Sequence, residues 1–179
     1  MNKTKADPLS RKKIRKLSNV IKNILSLDLK SKIDIIRVFE DLSILFNFQY
    51  EIVQDSEMKT NYGETDLSNN LIRIRESVYI GASNGNPRDR FTIAHELGHF
   101  CLHKDSIKFC RNEEAIKAYE DPEWQANTFA GEFLVDTENI KELSIDEIMK
   151  TYNVSRIVAE IQKKSSKWKI GRDVYVENN

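Results

Sequence analysis

The chain has 179 residues, of which 40% are hydrophobic and 31% charged, and this is typical of one compact domain with a short extension. Its formal net charge is zero, no apolar run could span a bilayer, and the basic start lacks a signal peptide's apolar stretch. We therefore expect a cytoplasmic protein whose two cysteines, Cys101 and Cys110, stay reduced, which excludes a disulfide framework.

The first predicted element is a basic amphipathic helix within residues 1–30. Residues 1–32 hold ten Lys or Arg against Asp7 and Asp28. Apolar residues recur three and four positions apart, which predicts a helix with its lysines on the solvated side: Ile14, Leu17, Ile21 and Ile24. The alternative is a basic arm that contacts nucleic acid or an acidic partner.

A second helix and a small sheet are predicted next. Ser31 with Asp34 resembles a capping box, and helical spacing continues to about Leu45. Residues 48–53 alternate in polarity, as in a strand with one buried face. A turn-like Ser-Asn-Asn precedes the apolar run 71–76, which indicates a hairpin. The middle of the chain therefore predicts a small antiparallel sheet.

Helix-capping signals follow in the second half of the chain. Residues 81–86 are predicted to form a loop, and Asn86 and Asp121 each precede a proline that starts a helix. Two further caps are predicted, a capping box of Ser144 with Glu147 and the cap Ser155 of a last helix that ends near Lys167.

The helix that starts at Pro87 carries the sequence HELGH, residues 95–99. Residues four apart stand on one helix face, so His95 and His99 can reach a single zinc ion while Glu96 points at a water molecule beside it. All three histidines of the chain lie on this helix. This spacing predicts a catalytic zinc site.

Such a site needs a third protein ligand. His103 lies eight residues beyond His95, about 12 Å along a straight helix, so it could share the ion only if the helix bent, and residues 100–102 include no Gly or Pro to bend it. We expect it to cap the helix or to bond a ligand from behind. Cys101 falls on the opposite helix face, where a buried thiol is expected. Cys110 could approach from a loop.

The remaining donors are carboxylates near the next helix. Glu123 is the best placed, one position after Pro122, and Asn127 follows it on the same face. Aromatic residues of this helix supply apolar surface for packing against the HELGH helix. Glu120 and Asp121 remain alternatives that periodicity does not exclude.

The pairing of HELGHFCLH with the downstream EWQANTFAGEFL resembles the ImmA/IrrE metallopeptidase family over most of the chain. The resemblance implies an α+β fold. A zincin-like domain, residues 31–143, would contain a small antiparallel sheet and the HExxH helix, and a helical extension, residues 144–179, would pack on it. It also implies that Zn2+ is held by His95, His99 and Glu123, with Glu96 as the catalytic carboxylate. Where relatives usually continue with Leu-Met-Pro, this chain has Leu-Val-Asp at 134–136.

The function that the resemblance implies is a zinc-dependent endopeptidase that cleaves a helix-turn-helix repressor and so derepresses a mobile element or stress genes. Glu96 would take a proton from water and deliver it to the leaving amine. Candidates for stabilising the developing oxyanion are His103, Tyr119, Arg88 and Arg90.

Two other functions compete with this one. A non-catalytic protein could regulate a repressor or toxin partner by binding, although Glu96 argues against it because a structural metal site needs no base. Direct DNA binding is the second, since residues 144–164 read as two helices joined by a short turn. Ile157 and Ile161 of the second helix favour burial over base reading, so DNA binding is disfavoured, and no membrane partner is expected.

Overall fold

The structure, a computed structural model, describes residues 3–103, 108–110 and 116–167. Its elements in chain order are β1 (Lys3–Lys5), α1 (Arg11–Ile24), α2 (Ile35–Leu45), β2 (Gln49–Val53), β3 (Gly63–Asp66), β4 (Leu71–Arg75), α3 (Glu76–Ser83), α4 (Pro87–His103), β5 (Lys108–Cys110), a 3-10 turn (Ala118–Glu120), α5 (Pro122–Leu134), α6 (Ile145–Tyr152) and α7 (Arg156–Ser166). The fold is α+β, as predicted. Residues 1–2 of the predicted N-terminal segment and 168–179 of the predicted C-terminal extension lie outside this description, as does the side chain of Cys110.

The central sheet has three strands in the order β2, β4, β3. β3 and β4 are antiparallel and form the predicted hairpin, in which Asn70 has a φ of 54°. β2 runs parallel to β4, with Gln49 opposite Leu71. The prediction of a wholly antiparallel sheet was therefore wrong. The chain reverses after β2 and again after β3, so β4 regains the direction of β2, and it inserts between the two.

α4 is the central helix of the fold. It packs against α5 on one side and against α2, α3 and β3 on the other. Fully buried side chains from α2, β4, α4 and α5 form one continuous core, which includes Phe39, Leu42, Ile72, Ile74, Ile93, Leu97, Phe129 and Phe133. This burial holds α4 and α5 rigidly side by side, and the hydrophobic effect of such aromatic and aliphatic groups is the main source of stability.

Capping residues fix where the helices begin. Asn86, Asp121, Ser144 and Ser155 accept backbone N–H groups of α4, α5, α6 and α7, as predicted. α2 begins later than predicted, because the Asp34 side chain accepts the Arg37 N–H while Ser31 bonds Asp28 instead. α3 was missed, and residues 81–83 of the predicted loop belong to it.

The N-terminal helix α1 packs on α5 through a buried charged cluster. Ile14 and Ile21 are buried as predicted, but the expectation that all lysines face solvent was wrong for Lys22. Its Nζ donates to the carbonyl of Glu132 at 2.9 Å. The Glu132 side chain is 1% exposed and binds the guanidinium groups of Arg11 and Arg15 at 3.1 and 2.7 Å. A buried carboxylate needs such partners, and α1 supplies them.

The C-terminal helices α6 and α7 pack against each other and are joined by a turn at Asn153, which has a φ of 51°. Ile157 and Ile161 are 69% and 46% exposed, so the expectation that they are buried was wrong. The side of α7 that meets the rest of the protein carries Val158, Ala159 and Gln162 instead. None of the helices in the described part of the chain combines the length and apolar character needed to cross a bilayer.

Candidate metal centre

The two histidines of the HELGH sequence lie on one face of α4. Their Nε2 atoms are 2.9 Å apart, and both rings line a cleft of about 610 Å³. The predicted one-turn spacing is therefore realised, because Asn86 and Pro87 start α4 two turns earlier and no break follows. Both imidazoles present the same ring nitrogen to the cleft.

Glu123 brings a carboxylate to the same point from the first turn of α5. Its Oε2 lies 3.3 Å from His95 Nε2, and its Oε1 lies 3.2 Å from His99 Nε2. The cap residue Asp121 holds this turn by accepting the Glu123 N–H at 2.9 Å. The helices can approach this closely because of Gly98, where a Cβ atom would meet the Ala126 Cα at 3.1 Å.

The spacing of these donors suits a small tetrahedral ion. Zinc bonds to nitrogen and oxygen are roughly 2.0–2.2 Å long, which places tetrahedral ligand atoms roughly 3.3 Å apart. The three measured separations lie between 2.9 and 3.3 Å. Within the described residues, His95, His99 and Glu123 are the group of His, Cys, Asp or Glu side chains able to hold a metal ion. The donor set therefore fits the metal that the sequence predicted.

Charge in the centre is balanced between the imidazoles and the carboxylate. Hydrogen bonds from His95 and His99 hold the pKa of the Glu123 carboxyl well below its usual range. Burial works to lower the pKa of His95, but the hydrogen bond to Glu123 and the charges of Glu96 and Glu123 outweigh it, so that this pKa is raised. Glu123 therefore stays ionised, as a metal ligand must.

Each imidazole is also held from behind. His95 Nδ1 lies 3.0 Å from the Asn127 Oδ1, and His99 Nδ1 lies 3.1 Å from His103 Nδ1. An amide oxygen can only accept, so His95 carries a proton on Nδ1, and a metal ion would take the place of the Nε2 proton that otherwise bonds Glu123. Such partners fix the ring orientation of a ligand histidine.

Glu96 sits beside the three donors in the wall of the cleft. Its side chain is buried, and the Thr65 hydroxyl donates to its Oε2 at 2.7 Å. Gly63 packs so closely that a Cβ there would lie 2.7 Å from the Glu96 Cγ. Burial raises the pKa of Glu96, although the bond from Thr65 and the nearby imidazoles oppose the shift. The carboxylate is thus held between α4 and β3.

The alternative ligands lie elsewhere. Glu120 pairs with Lys5 at 2.9 Å, and Asp121 caps α5. His103 is buried behind His99, where burial lowers its pKa to about 4. Cys101 is half-buried against the core rather than fully buried as expected, and desolvation raises the pKa of its thiol to about 12.

Two of the candidate oxyanion donors are remote from the chemistry. The guanidinium of Arg90 is buried and donates to the carbonyls of Ile33 and Tyr152 at 2.9 and 2.8 Å, so it joins α4 to α6 and to the start of α2. His103 lies behind the ligand pair. Arg88 stacks over the ring of Tyr62, which lines the cleft, at 4.6 Å. Tyr119 is not among the residues that line the cleft.

Sequence reasoning missed the residues that support the site. Thr65 and Gly63 belong to β3, which was not predicted as a strand. The hairpin signal could have shown it, because a turn at 67–70 requires a partner strand just before it. The sequence correctly predicted that Asn127 lies on the same face of α5 as Glu123, but it indicated no function for this residue. Gln125, which meets His103, gave no signal, since a glutamine inside a helix is ordinary.

The α+β layers, the HExxH helix and a carboxylate from the following helix define a zincin-like metallopeptidase fold. Residues 50–162 match the IrrE N-terminal-like domain model of the peptidase M78 family, which is more than half of the chain, and the protein belongs to this family. The resemblance to ImmA/IrrE proteins is thereby confirmed. Membership implies a metal ion and supports a protease activity. No curated protein and no solved structure matches the chain significantly.

Proposed function

We propose that the protein is a zinc-dependent endopeptidase in which His95, His99 and Glu123 hold the ion and Glu96 handles the proton. One observation carries the proposal. A buried carboxylate, Glu96, stands next to three donors at zinc spacing in the wall of an open cleft. A purely structural zinc site would be closed by a fourth protein ligand and would need no neighbouring base.

Bound zinc would lower the pKa of a water molecule and polarise the peptide carbonyl. Side chains of the protein would then orient the carboxylate and transfer the proton. Thr65 holds one oxygen of the Glu96 carboxylate, Oε2, at 2.7 Å. The other oxygen, Oε1, takes the proton from the attacking water and passes it to the leaving nitrogen. Asn127 and His103 keep the two imidazoles aimed at the cleft throughout.

The cleft suits a peptide in an extended conformation. Among the strands that the structure describes, β3 is the outer one of its sheet, and residues 62–65 line the cleft, so the outer edge of β3 borders the site. An edge strand binds an extended segment through backbone hydrogen bonds and needs no particular sequence. As part of the same proposal the substrate is a helix-turn-helix repressor, cleaved in the cytoplasm to derepress a mobile element or stress genes. Direct nucleic-acid binding and membrane contact have no part in it.

The test is incubation of the purified protein with the repressor encoded beside it. Glu96→Gln should keep zinc and fold but cleave at least about 100-fold more slowly, because the amide cannot accept the proton. Glu160→Gln is the control, since Glu160 is an exposed carboxylate of α7 that does not line the cleft, and this variant should leave the rate unchanged. Full derepression in cells by Glu96→Gln would establish the binding-only alternative instead.

A further inference from the structure

A buried chain of hydrogen bonds runs from His99 away from the cleft. His103, 1% exposed, places its Nδ1 at 3.1 Å from His99 Nδ1 and its Nε2 at 3.0 Å from the Gln125 Oε1. Gln125 is completely buried on α5. Buried polar groups at these distances are paired, and each pair needs one donor and one acceptor.

The far end of the chain fixes the direction of every bond in it. The Gln125 amide nitrogen lies 2.8 Å from the carbonyl of Tyr119 and 2.9 Å from that of Asp7. Two carbonyls can only accept, so this atom is the NH2 group and the oxygen faces His103. His103 must then carry its proton on Nε2 and accept at Nδ1. His99 in turn donates from Nδ1, which leaves its Nε2 lone pair for the ion.

The residues that anchor this chain of hydrogen bonds lie outside the part of the sequence that matches the family model. Asp7 belongs to the segment ahead of α1, which is tied to the 3-10 turn by two backbone bonds. The Ala6 N–H donates to Glu120 at 2.8 Å, and the Leu9 N–H donates to Tyr119 at 2.9 Å. The family match covers residues 50–162. An N-terminal segment thus reaches the rear of the metal centre through a single glutamine.

We propose that His103 and Gln125 are positioning residues that hold His99 in its metal-binding tautomer, and that residues 6–9 anchor them. The proposal rests on the proposed metal site but on no particular peptide substrate. An apolar residue at 103 would leave the His99 Nδ1–H without an acceptor and its ring free to rotate. Outer partners of ligand histidines typically change metal affinity by about 10–100-fold.

The tautomers can be observed directly, because the chain has only three histidines. Proton–nitrogen correlation spectra of the zinc-loaded protein with ¹⁵N-labelled histidine should show His103 protonated on Nε2 alone and His99 on Nδ1 alone. A His103 ring protonated on Nδ1 would overturn the proposal, since it could not accept from His99.

Zinc affinity against a competing chelator separates positioning from packing. His103→Leu should weaken binding by about 10–100-fold. In His103→Asn, the side-chain amide oxygen on Cγ can take the position of the His103 Nδ1 and accept the same hydrogen bond. This variant should therefore recover most of the lost zinc affinity. Both variants lose the bond to Gln125, so a merely structural role would weaken them equally. Gln125→Leu should also bind zinc weakly, while Gln162→Leu, at a buried glutamine of α7, should not.

Hydrogen exchange tests the anchor. Coupling is reciprocal, so zinc should slow the exchange of the Ala6 and Leu9 amides in the wild type and much less in Gln125→Leu. If the Ala6 and Leu9 amides of the wild type exchange at the same rate with and without zinc, the N-terminal segment has no part in the proposal. Normal zinc affinity in His103→Leu would overturn the positioning role alone, whereas a wild type that binds no zinc would overturn the metal site itself.

Discussion

Gly63→Ala adds one methyl group directly against Glu96, the proposed general base. The Cβ would lie 2.7 Å from Glu96 Cγ and 2.9 Å from its Oε1. The φ of Gly63 is not positive, so the backbone accepts alanine without strain. Any effect of the substitution therefore comes from crowding of the carboxylate.

The size of the effect follows from the overlap. Carbon atoms in contact sit about 3.5–4.0 Å apart, so Glu96 or β3 must move by nearly 1 Å. Glu96 is buried in the middle of α4, and Thr65 holds its carboxylate. Movement of either Glu96 or β3 therefore breaks the alignment of the Glu96 carboxylate with the Thr65 hydroxyl. A displacement of about 1 Å in a catalytic constellation can cost about 100-fold in rate. We expect kcat to fall by about 10–100-fold on that basis, with zinc affinity unchanged.

The assay is steady-state cleavage of the repressor combined with zinc titration. Gly81→Ala is the matched control, because its Cβ would crowd the carboxylate of Asp89, which is outside the cleft and partly exposed. That side chain can turn aside, so Gly81→Ala should cleave at the wild-type rate. Wild-type kcat in Gly63→Ala would refute the argument that β3 positions the base.

Three further outcomes follow from the site and the core. In competition with a chelator, Glu123→Ala should bind zinc much more weakly than the wild type, whereas Glu120→Ala should bind it normally. Normal affinity in Glu123→Ala with weak binding in Glu120→Ala would contradict the proposed ligands. Glu132→Ala leaves Arg11 and Arg15 of α1 without their buried acid and should lower the free energy of unfolding in urea by about 3 kcal/mol; a loss below about 1 kcal/mol would contradict the cluster's role. Burial raises the pKa of Tyr152 to about 12, above the value of about 10 in unfolded chains, so the contribution of Tyr152 to stability should be constant below about pH 10 and fall between about pH 10 and 12. Tyr152→Phe should flatten that fall, and an unchanged slope would count against it.

Local signals predicted the parts of the site that lie on single helices. The cap and proline at Asn86 and at Asp121 fix where α4 and α5 begin, and helical spacing then puts His95 and His99 on one face of α4 and Glu123 in the first turn of α5. α3 escaped prediction because its first residue follows Arg75, which makes no side-chain cap. Helix starts that rely on tertiary packing leave no mark in a short window of sequence.

Features that join distant segments could not be predicted. The bond between Arg15 and Glu132 spans 117 residues, and periodicity showed neither the burial of this glutamate nor its partners. The parallel pairing of β2 with β4 requires that β3 occupy the opposite edge of β4. Gln125 connects to Asp7 across 118 residues. Each of these contacts becomes visible only when the tertiary arrangement is known.

The close crossing at Gly98 gives the centre its size. A Cβ atom there would meet the Cα and carbonyl oxygen of Ala126 at 3.1 Å, so the two helix backbones touch without intervening side chains. The distance from the imidazole pair to Glu123 is therefore set by main-chain contact. Repacking of other core side chains leaves this distance unchanged, whereas a larger residue at 98 would wedge the helices apart and widen the gap among the donors. The size of ion that the three donors could hold therefore depends on the absence of a side chain at residue 98.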